Sequence, residues 1–199
     1  KFDDVEYGRS LGQTSHHFKN ALAFKFADDT VKSRLFNIDW TMGRTGVLTP
    51  VAEFEDIELE GSTVSRASLH NLSVLWDVLG EKPYQGQEVD VFKANMIIPQ
   101  IKSAVQYEEL DDTVKVEFFE IPSVCPICGE PTAQKTDLIS TFLVCENPAC
   151  EGKLINRLDH FCGKKGLDIK GLSKATLEKL INWGWVSSYK DLFELKNHR

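Results

Sequence analysis

Four cysteines in two short-spaced pairs constrain this chain more than any other feature of its 199 residues. Cys125 and Cys128 form the first pair, and Cys145 and Cys150 form the second after an interval of sixteen residues. Each pair suits a tight turn that presents two thiolates, and a hairpin of this length brings two such turns together. Four thiolates complete a tetrahedral shell and leave no open position, so the spacing predicts one structural Zn²⁺ site.

Two disulfides and a redox-active Cys-x-x-Cys pair are the alternative interpretations. The sequence does not begin with a basic and then apolar signal segment, which argues against disulfides. Redox chemistry does not explain a second, matched pair. Cys162 has no paired cysteine nearby in the sequence and is predicted to be a small buried residue. His160 is predicted to be an ordinary helix side chain, because four cysteines already fill the site.

The segment before the cysteines is dominated by short β-strand patterns with glycine between them. One helical stretch, Ser68–Leu79, interrupts them, and one helix among the strands of a small barrel is typical of an oligonucleotide-binding (OB) fold. The predicted strands are Arg34–Thr41, Gly46–Phe54, Ile57–Leu59, Thr63–Ala67, Glu88–Ala94, Ile97–Ala104 and Val114–Phe119.

Elements of a different kind flank this predicted all-β barrel. Ala21–Phe26 is a short apolar run that favours a strand, and Leu138–Val144 favours a strand between the cysteine pairs. From Leu154 onward the apolar period is helical, with Ser173 as the predicted N-cap of a helix over Ala175–Trp183 and a further short helix around Tyr189–Leu195. The chain is therefore predicted to contain several domains.

Charge is distributed unevenly along the chain. The net charge is −7, but residues 151–199 hold ten Lys and Arg against six Asp and Glu, a local charge of +4. A basic C-terminal part suits a modest phosphate-contacting surface, although an ordinary solvated face explains it equally well. No apolar run approaches the roughly 18 residues that span a bilayer, so we expect no membrane association. The first residue, Lys1, favours a piece excised from a longer protein.

Five segments carry recognisable motifs in one order along the chain: Met42–Ala52, Thr63–Asn71, Ile97–Ile101, the cysteine module and Leu167–Leu172. Together these segments resemble bacterial NAD-dependent DNA ligases. The resemblance implies the end of an adenylation domain over residues 1–30, an OB-fold domain over 31–120, a four-cysteine zinc module over 121–152 and the start of a helix-hairpin-helix domain over 153–199. It also implies a monomeric protein of the bacterial cytoplasm.

The resemblance further implies cofactors. These ligases transfer AMP from NAD to a lysine in a Lys-x-Asp-Gly motif, and Lys1-Phe2-Asp3-Asp4 lacks the glycine, so we expect the nucleophile upstream. Lys1 and Lys25 stand where the family holds NAD or AMP, and a lysine suits phosphate contact. On sequence alone, Lys25 is better explained as an outward-facing strand residue, and only the resemblance favours a contact with NAD or AMP. The family also implies Mg²⁺ for phosphate charge, although no motif here identifies its ligands.

The DNA-facing residues implied by the resemblance are Arg44, Thr45, Arg66 and Lys93. A glycine-flanked turn lets the guanidinium of Arg44 and the hydroxyl of Thr45 reach a phosphate. Without the resemblance, each of these residues is better explained as an ordinary solvated side chain. The family usually has Arg-Ala-Gly-Asp where this chain has Lys93-Ala94-Asn95-Met96, and lysine loses the bidentate geometry of arginine.

In the C-terminal part, residues 163–166 and 171–174 resemble the start of a helix-hairpin-helix domain, whose glycine turns let helix N-terminal amides approach a DNA backbone. Trp183 and Trp185 are predicted to be core residues. Our leading hypothesis is part of a ligase that seals nicks in duplex DNA. The rivals are a non-catalytic DNA-binding module, with an OB-fold and a zinc ribbon, and a scaffold in which zinc only joins two domains.

Overall fold

A computed structural model of the chain describes residues 3–21, 29–110 and 113–198. A short N-terminal helix, α1 (Val5–Ser10), begins at an Asp4 cap and precedes five strands that form a barrel. The strands are β1 (Val31–Met42), β2 (Val47–Leu59), β3 (Ser62–Ser68), β4 (Glu88–Ala94) and β5 (Ile98–Ala104), with helix α2 (Leu72–Leu79) between β3 and β4. Five strands and one helix in this order agree with the predicted OB-fold.

Antiparallel pairing and alternation of side chains build the barrel. β1 pairs with both β2 and β4, β2 pairs with β3, and β4 pairs with β5. Along β4 every second residue is buried, as expected for a strand with one face on a core. The largest fully buried side chains of this core include Phe54, Leu35 and Leu79. Helix α2 contributes Leu75 and Leu79 to this core, which lie on one face at helical spacing.

The cysteine-containing segment extends the same sheet. Strands β6 (Thr132–Thr136) and β7 (Thr141–Cys145) form a hairpin, and β7 pairs with the start of β2 through Val47↔Val144 and Leu48↔Leu143. The strand order β5-β4-β1-β2-β7-β6 is therefore continuous across the expected boundary near residue 121. A second core cluster crosses it too, with Met42, Leu48 and Leu72 of the barrel packed against residues of the cysteine segment.

Three helices complete the described chain: α3 (Glu151–Cys162), α4 (Lys174–Asn182) and α5 (Asp191–Glu194). Short 3-10 helices lie at Tyr107–Glu109 and Leu195–His198. As predicted, Ser173 caps α4, since its side chain accepts the Thr176 N–H. A third core joins α3 to α4 through Leu158, Cys162 and Leu177. Among the described residues, no helix is both long and apolar enough to cross a bilayer.

Several local predictions were wrong for identifiable reasons. One continuous strand, β2, replaces the two strands predicted at Gly46–Phe54 and Ile57–Leu59. Its pairing with β3 shifts register between Glu53 and Ile57, so the acidic residues that separate the two predicted strands lie within β2. Within Val114–Phe119 the structure contains only a bridge from Phe118 to Tyr84. β6 and α1 were not predicted. Trp183 is 60% exposed rather than core, whereas Trp185 packs against the third cluster.

Candidate metal centre and nucleic-acid interface

The four sulfur atoms of Cys125, Cys128, Cys145 and Cys150 lie within 4.8 Å of one another. The Sγ atoms of Cys128 and Cys145 are 3.6 Å apart, and all four thiols are free. A disulfide needs an S–S distance of about 2.05 Å, so the structure does not contain the alternative pairing. A tetrahedral Zn²⁺ with Zn–S bonds of about 2.3 Å separates its sulfurs by about 3.8 Å, and the observed cluster fits that donor set.

Local backbone geometry brings each pair together. In the first turn the Gly129 N–H donates to the Cys125 carbonyl over 2.9 Å, and Gly129 adopts φ +70°, which glycine tolerates best. In the second turn the Asn147 side chain accepts the Ala149 N–H over 2.9 Å. Cys150 then stands directly before α3, so the last cysteine and the helix are placed together.

Burial and hydrogen bonding act on the thiols in opposite directions. The backbone N–H of Glu130 lowers the pKa of Cys128 to about 7. Burial raises the pKa of Cys145 to about 12 and raises that of Cys150 as well. Sulfurs held together under such burial need a cation to stabilise their thiolate form. The cluster is therefore chemically suited to a divalent metal with no open coordination position.

Arg44 and Thr45 are exposed at the tip of the turn between β1 and β2. The turn is closed by the Gly43 N–H on the Val47 carbonyl over 2.8 Å and by the Gly46 N–H on the Gly43 carbonyl over 3.0 Å. Gly46 is buried and adopts φ +90°. An exposed guanidinium and an exposed hydroxyl thus lie on a hydrogen-bonded turn, which is a suitable arrangement for phosphate contact.

Arg66 lies on the barrel surface but is not a free cation. Its guanidinium is 2.7 Å from a carboxylate oxygen of Asp39 on β1 and 3.1 Å from one of Glu53 on β2. These three side chains together carry a net charge of −1. A phosphate at this position has to compete with two carboxylates for one guanidinium.

Lys93 differs from the expectation of a DNA-facing side chain. It is 6% exposed, and its ammonium donates to the Leu59 carbonyl over 2.8 Å and to the Ser62 hydroxyl over 2.6 Å. These bonds anchor the turn between β2 and β3 to β4. The alternation of β4 turns this side chain inward, so Lys93 is omitted from the interface proposed below.

Four further residues were singled out in the sequence, two as expected cofactor contacts and two as residues outside the metal site. Lys1 and Lys25, expected near NAD or AMP, lie outside the described residues. In the helical part, His160 is exposed and does not belong to the sulfur cluster, and Cys162 is buried in the third core.

Two residues of α3 were missed by the sequence analysis. Lys153 is buried with its ammonium 2.8 Å from the Cys145 carbonyl, and the Nε of Arg157 donates to the Arg44 carbonyl over 3.2 Å. No local sequence pattern identifies either residue, because each hydrogen bond joins α3 to another element.

Comparisons with known proteins agree with this architecture. Residues 32–113 match the family model of the NAD-dependent DNA ligase OB-fold domain. The chain is 43% identical over 198 residues to a DNA ligase of Lachnoclostridium phytofermentans and 39% identical over 198 residues to one of Ruminiclostridium cellulolyticum. It is 36% identical over 199 residues to a DNA ligase of Fusobacterium nucleatum.

Each of these alignments covers 100% of this chain but only 29%, 28% and 27% of the respective ligase. The chain therefore spans less than a third of the length of these relatives. The five-stranded barrel matches the family's domain, and the similarity continues through the cysteine cluster and the helices beyond it. The chain belongs to the NAD-dependent DNA ligase family, and residues 32–113 are its OB-fold domain.

Proposed function

We propose that this chain is the DNA-gripping part of a bacterial ligase that seals nicks between a 3′-hydroxyl and a 5′-phosphate in duplex DNA through a lysyl-AMP intermediate. The observation that carries the proposal is the similarity to DNA ligases along the whole chain, including an OB-fold domain of the NAD-dependent class. OB-folds bind nucleic acid on one face of the barrel.

The proposed DNA contact is centred on the turn that carries Arg44 and Thr45. Phosphate contacts of this kind position a protein on a duplex without reading its sequence, as a nick-sealing enzyme requires. Arg66 is a second contact, available when a phosphate displaces Asp39 or Glu53. Residues 153–199 extend the proposed DNA-binding surface. Within them, the segments Gly163–Gly166 and Gly171–Lys174 are proposed as the start of a helix-hairpin-helix domain.

The four cysteines are proposed to hold one Zn²⁺ with a structural role. The metal supplies the charge that stabilises four thiolates, and no coordination site is left for substrate. Because β7 pairs with β2 and Cys150 precedes α3, the centre joins the barrel to the helices. The proposed domain divisions at 121 and 153 therefore lie within continuous packing, whereas the proposed division at 31 follows from the resemblance alone.

NAD and Mg²⁺ are proposed for the whole enzyme. No Lys-x-Asp-Gly motif occurs in the 199 residues, so the adenylated lysine is proposed to be supplied from outside them. Lys1 and Lys25 are proposed to assist in binding NAD or AMP. We expect the 199 residues alone to seal no nicks.

A chimeric enzyme tests this proposal. The 198 aligned residues of the Lachnoclostridium phytofermentans DNA ligase are replaced by this chain, and lysine adenylation by NAD and nick sealing are measured separately. We expect both steps to proceed. A folded chimera that forms the lysyl-AMP but neither binds nor seals nicked duplex at any salt concentration would contradict the proposal.

The same assay separates the rivals. A non-catalytic DNA-binding module predicts salt-dependent binding of nicked duplex without sealing in the chimera. A scaffold predicts neither. The Arg44→Ala variant provides the internal control, since loss of one phosphate contact lowers affinity about tenfold and reduces the slope of log K against log salt by about one.

A further inference from the structure

Three polar side chains on one face of α3 lie against the turn that carries Arg44 and Thr45. Lys153, Asn156 and Arg157 are spaced i, i+3 and i+4, which places them side by side on a helix. Asn156 donates to the Met42 carbonyl over 3.0 Å, at the start of the turn. Arg157 donates to the Arg44 carbonyl at its tip.

Lys153 acts at the end of the turn. Its ammonium donates to the Cys145 carbonyl over 2.8 Å, while the Cys145 N–H donates to the Gly46 carbonyl over 2.9 Å. The Lys153 stem packs so closely on Gly46 that a Cβ added there would lie 2.2 Å from its Cε. Lys153 is only 6% exposed, so its ammonium does not reach a DNA phosphate. A contribution of Lys153 to DNA affinity therefore requires an indirect route through the turn.

The same face is linked to the next helix. The Lys174 ammonium, in the first turn of α4, donates to the Asn156 carboxamide oxygen over 2.8 Å. A chain of hydrogen bonds thus runs from α4 through α3 to the β1–β2 turn. A two-strand hairpin turn alone has only its own backbone bonds. This one also receives two side-chain donors from α3, which lie 114 and 113 positions along the chain from their acceptors.

We propose that Lys153 and Asn156 are positioning residues that hold the Arg44–Thr45 turn in its phosphate-contacting conformation. The inference rests on the proposed function, because the conformation of the turn affects DNA affinity only if the turn contacts DNA. On this proposal, the DNA contact of the OB-fold depends on α3, a helix outside the OB-fold. Arg157 supports the same turn, but its exposed charge also allows a direct phosphate contact, so it is a poor probe.

The test combines a structural and a functional measurement. The variants are Lys153→Met, which keeps the stem and removes the donor, and Asn156→Leu, which removes the bond to Met42 without touching a cysteine. Lys135→Met, at an exposed position of β6, is the matched control for loss of one lysine from the cysteine segment. Metal content is measured in every variant. If Lys153→Met loses the metal, Asn156→Leu alone decides the outcome.

The structural measurement is amide exchange at Gly43 and Gly46 in the metal-loaded 199-residue chain. We expect exchange at both amides to become about tenfold faster in the two test variants and to be unchanged in Lys135→Met. Unchanged exchange in the test variants overturns the inference, whatever the DNA measurement shows.

The functional measurement is a double-mutant cycle with Arg44→Ala in the chimeric ligase, using nicked duplex over a range of salt concentrations. In the unsubstituted background we expect Arg44→Ala to lower affinity about tenfold. In Lys153→Met and Asn156→Leu the same substitution should lower it less than about twofold, with the salt slope already reduced. An equal penalty for Arg44→Ala in all backgrounds would show that the helix does not position the turn for DNA.

The two proposals fail in different ways. If Arg44→Ala has no effect on affinity even in the unsubstituted chimera, the DNA contact in the proposed function is wrong, and the functional part of this inference falls with it. If Arg44→Ala lowers affinity by the same factor in every background, the DNA contact stands and only the positioning role is wrong.

Discussion

The barrel and the cysteine hairpin belong to one sheet but are stabilised by different interactions. The barrel buries large side chains such as Leu35 and Phe54 completely. The hairpin strand β6 has no buried residue, and Leu138 and Ile139 at the hairpin tip are 101% and 88% exposed. At roughly 25 cal/mol per Å² of apolar surface, β6 and the hairpin tip gain little from burial, and the large buried side chain of the hairpin is Leu143 of β7. The hairpin therefore depends mainly on the four sulfurs, whereas the barrel depends on its core.

The sharpest test of this difference is loss of a sulfur. Cys145→Ser removes one sulfur of the cluster at a position with 0% exposure. If the cluster holds the proposed metal, we expect its loss and destabilisation of residues 122–150 by more than about 4 kcal/mol, which is about a thousandfold in amide exchange. Barrel amides in β4 and β5 should remain protected. Measurement is by metal content and residue-resolved hydrogen exchange.

Cys162→Ser is the matched control, because Cys162 is equally buried but lies in the third core away from the other sulfurs. It should retain the metal and lose only about 1–3 kcal/mol for an added buried hydroxyl. The barrel and the hairpin share the cluster around Met42 and Leu143. If the amides of β4 and β5 exchange as fast as the hairpin amides in Cys145→Ser, the two regions unfold as one cooperative unit and the comparison is wrong.

The opposite test removes core from the barrel. Phe54→Ala should lower the free energy of unfolding by about 3–5 kcal/mol because it leaves a cavity in a fully buried site. Phe36→Ala, at a 49% exposed position of β1, should change it by less than about 0.5 kcal/mol. Urea unfolding measures both. A loss of metal at equilibrium in folded Phe54→Ala would contradict the separation of the two stabilising mechanisms.

Gly46 lies where the two regions meet, and its substitution tests that contact. Gly46→Ala should cost about 2–3 kcal/mol, since it adds strain at φ +90° to overlap with the Lys153 stem. Gly61→Ala, at φ +75° with nothing within 4 Å of the added Cβ, should cost only the strain of about 1–2 kcal/mol. Thermal unfolding compares them, and equal losses would mean that the Lys153 packing is readily rearranged.

The smallest expected effect concerns the tip of the hairpin. The Asp137 carboxylate accepts the N–H groups of Ile139 and Ser140, which lower its pKa below the ordinary value of about 3.9. A lowered folded-state pKa stabilises the tip above about pH 3.9, and this contribution is lost as pH falls through the folded value. An NMR titration should show the lowered pKa, and Asp137→Ala should abolish the acid-dependent change in the Ile139 and Ser140 amides.

A titration of Asp137 at its ordinary value would contradict the two hydrogen bonds. Asp191 is a suitable comparison in the helical part. Its carboxylate accepts from Ser187 and Ser188, and its pKa is lowered for the same reason.

Much of the fold followed from short-range patterns. The alternation of residues 88–94 predicted β4 with its observed bounds, and the helical period with Ser173 as cap placed α4 to within a residue or two. The spacing of the cysteines predicted a cluster, and the four sulfurs do lie together. The predicted family is also confirmed. The zinc, the DNA contacts of Arg44, Thr45 and Arg66, and the domain boundaries stay predictions.

The predictions that did not hold depended on contacts between distant residues. Lys93 was expected to face DNA, but its ammonium bonds to Leu59, 34 residues earlier. An isolated lysine in an alternating strand does not show whether its ammonium has a partner inside the fold. Trp183 was expected in the core, but it follows α4 at the C-cap, where its side chain is exposed.

The sequence by itself determined most of the barrel strands, helix α4 and the sulfur cluster, because strand alternation, helix capping and cysteine spacing act over a few residues. The order of several short motifs identified the family. Only the tertiary structure decided that β7 continues the barrel sheet, that Lys153 is buried against Gly46, and that α3 supports the Arg44–Thr45 turn. These contacts join residues far apart along the chain, such as Asn156 and Met42 at a separation of 114 positions. Their partners are set by how the elements pack, and no local pattern encodes that.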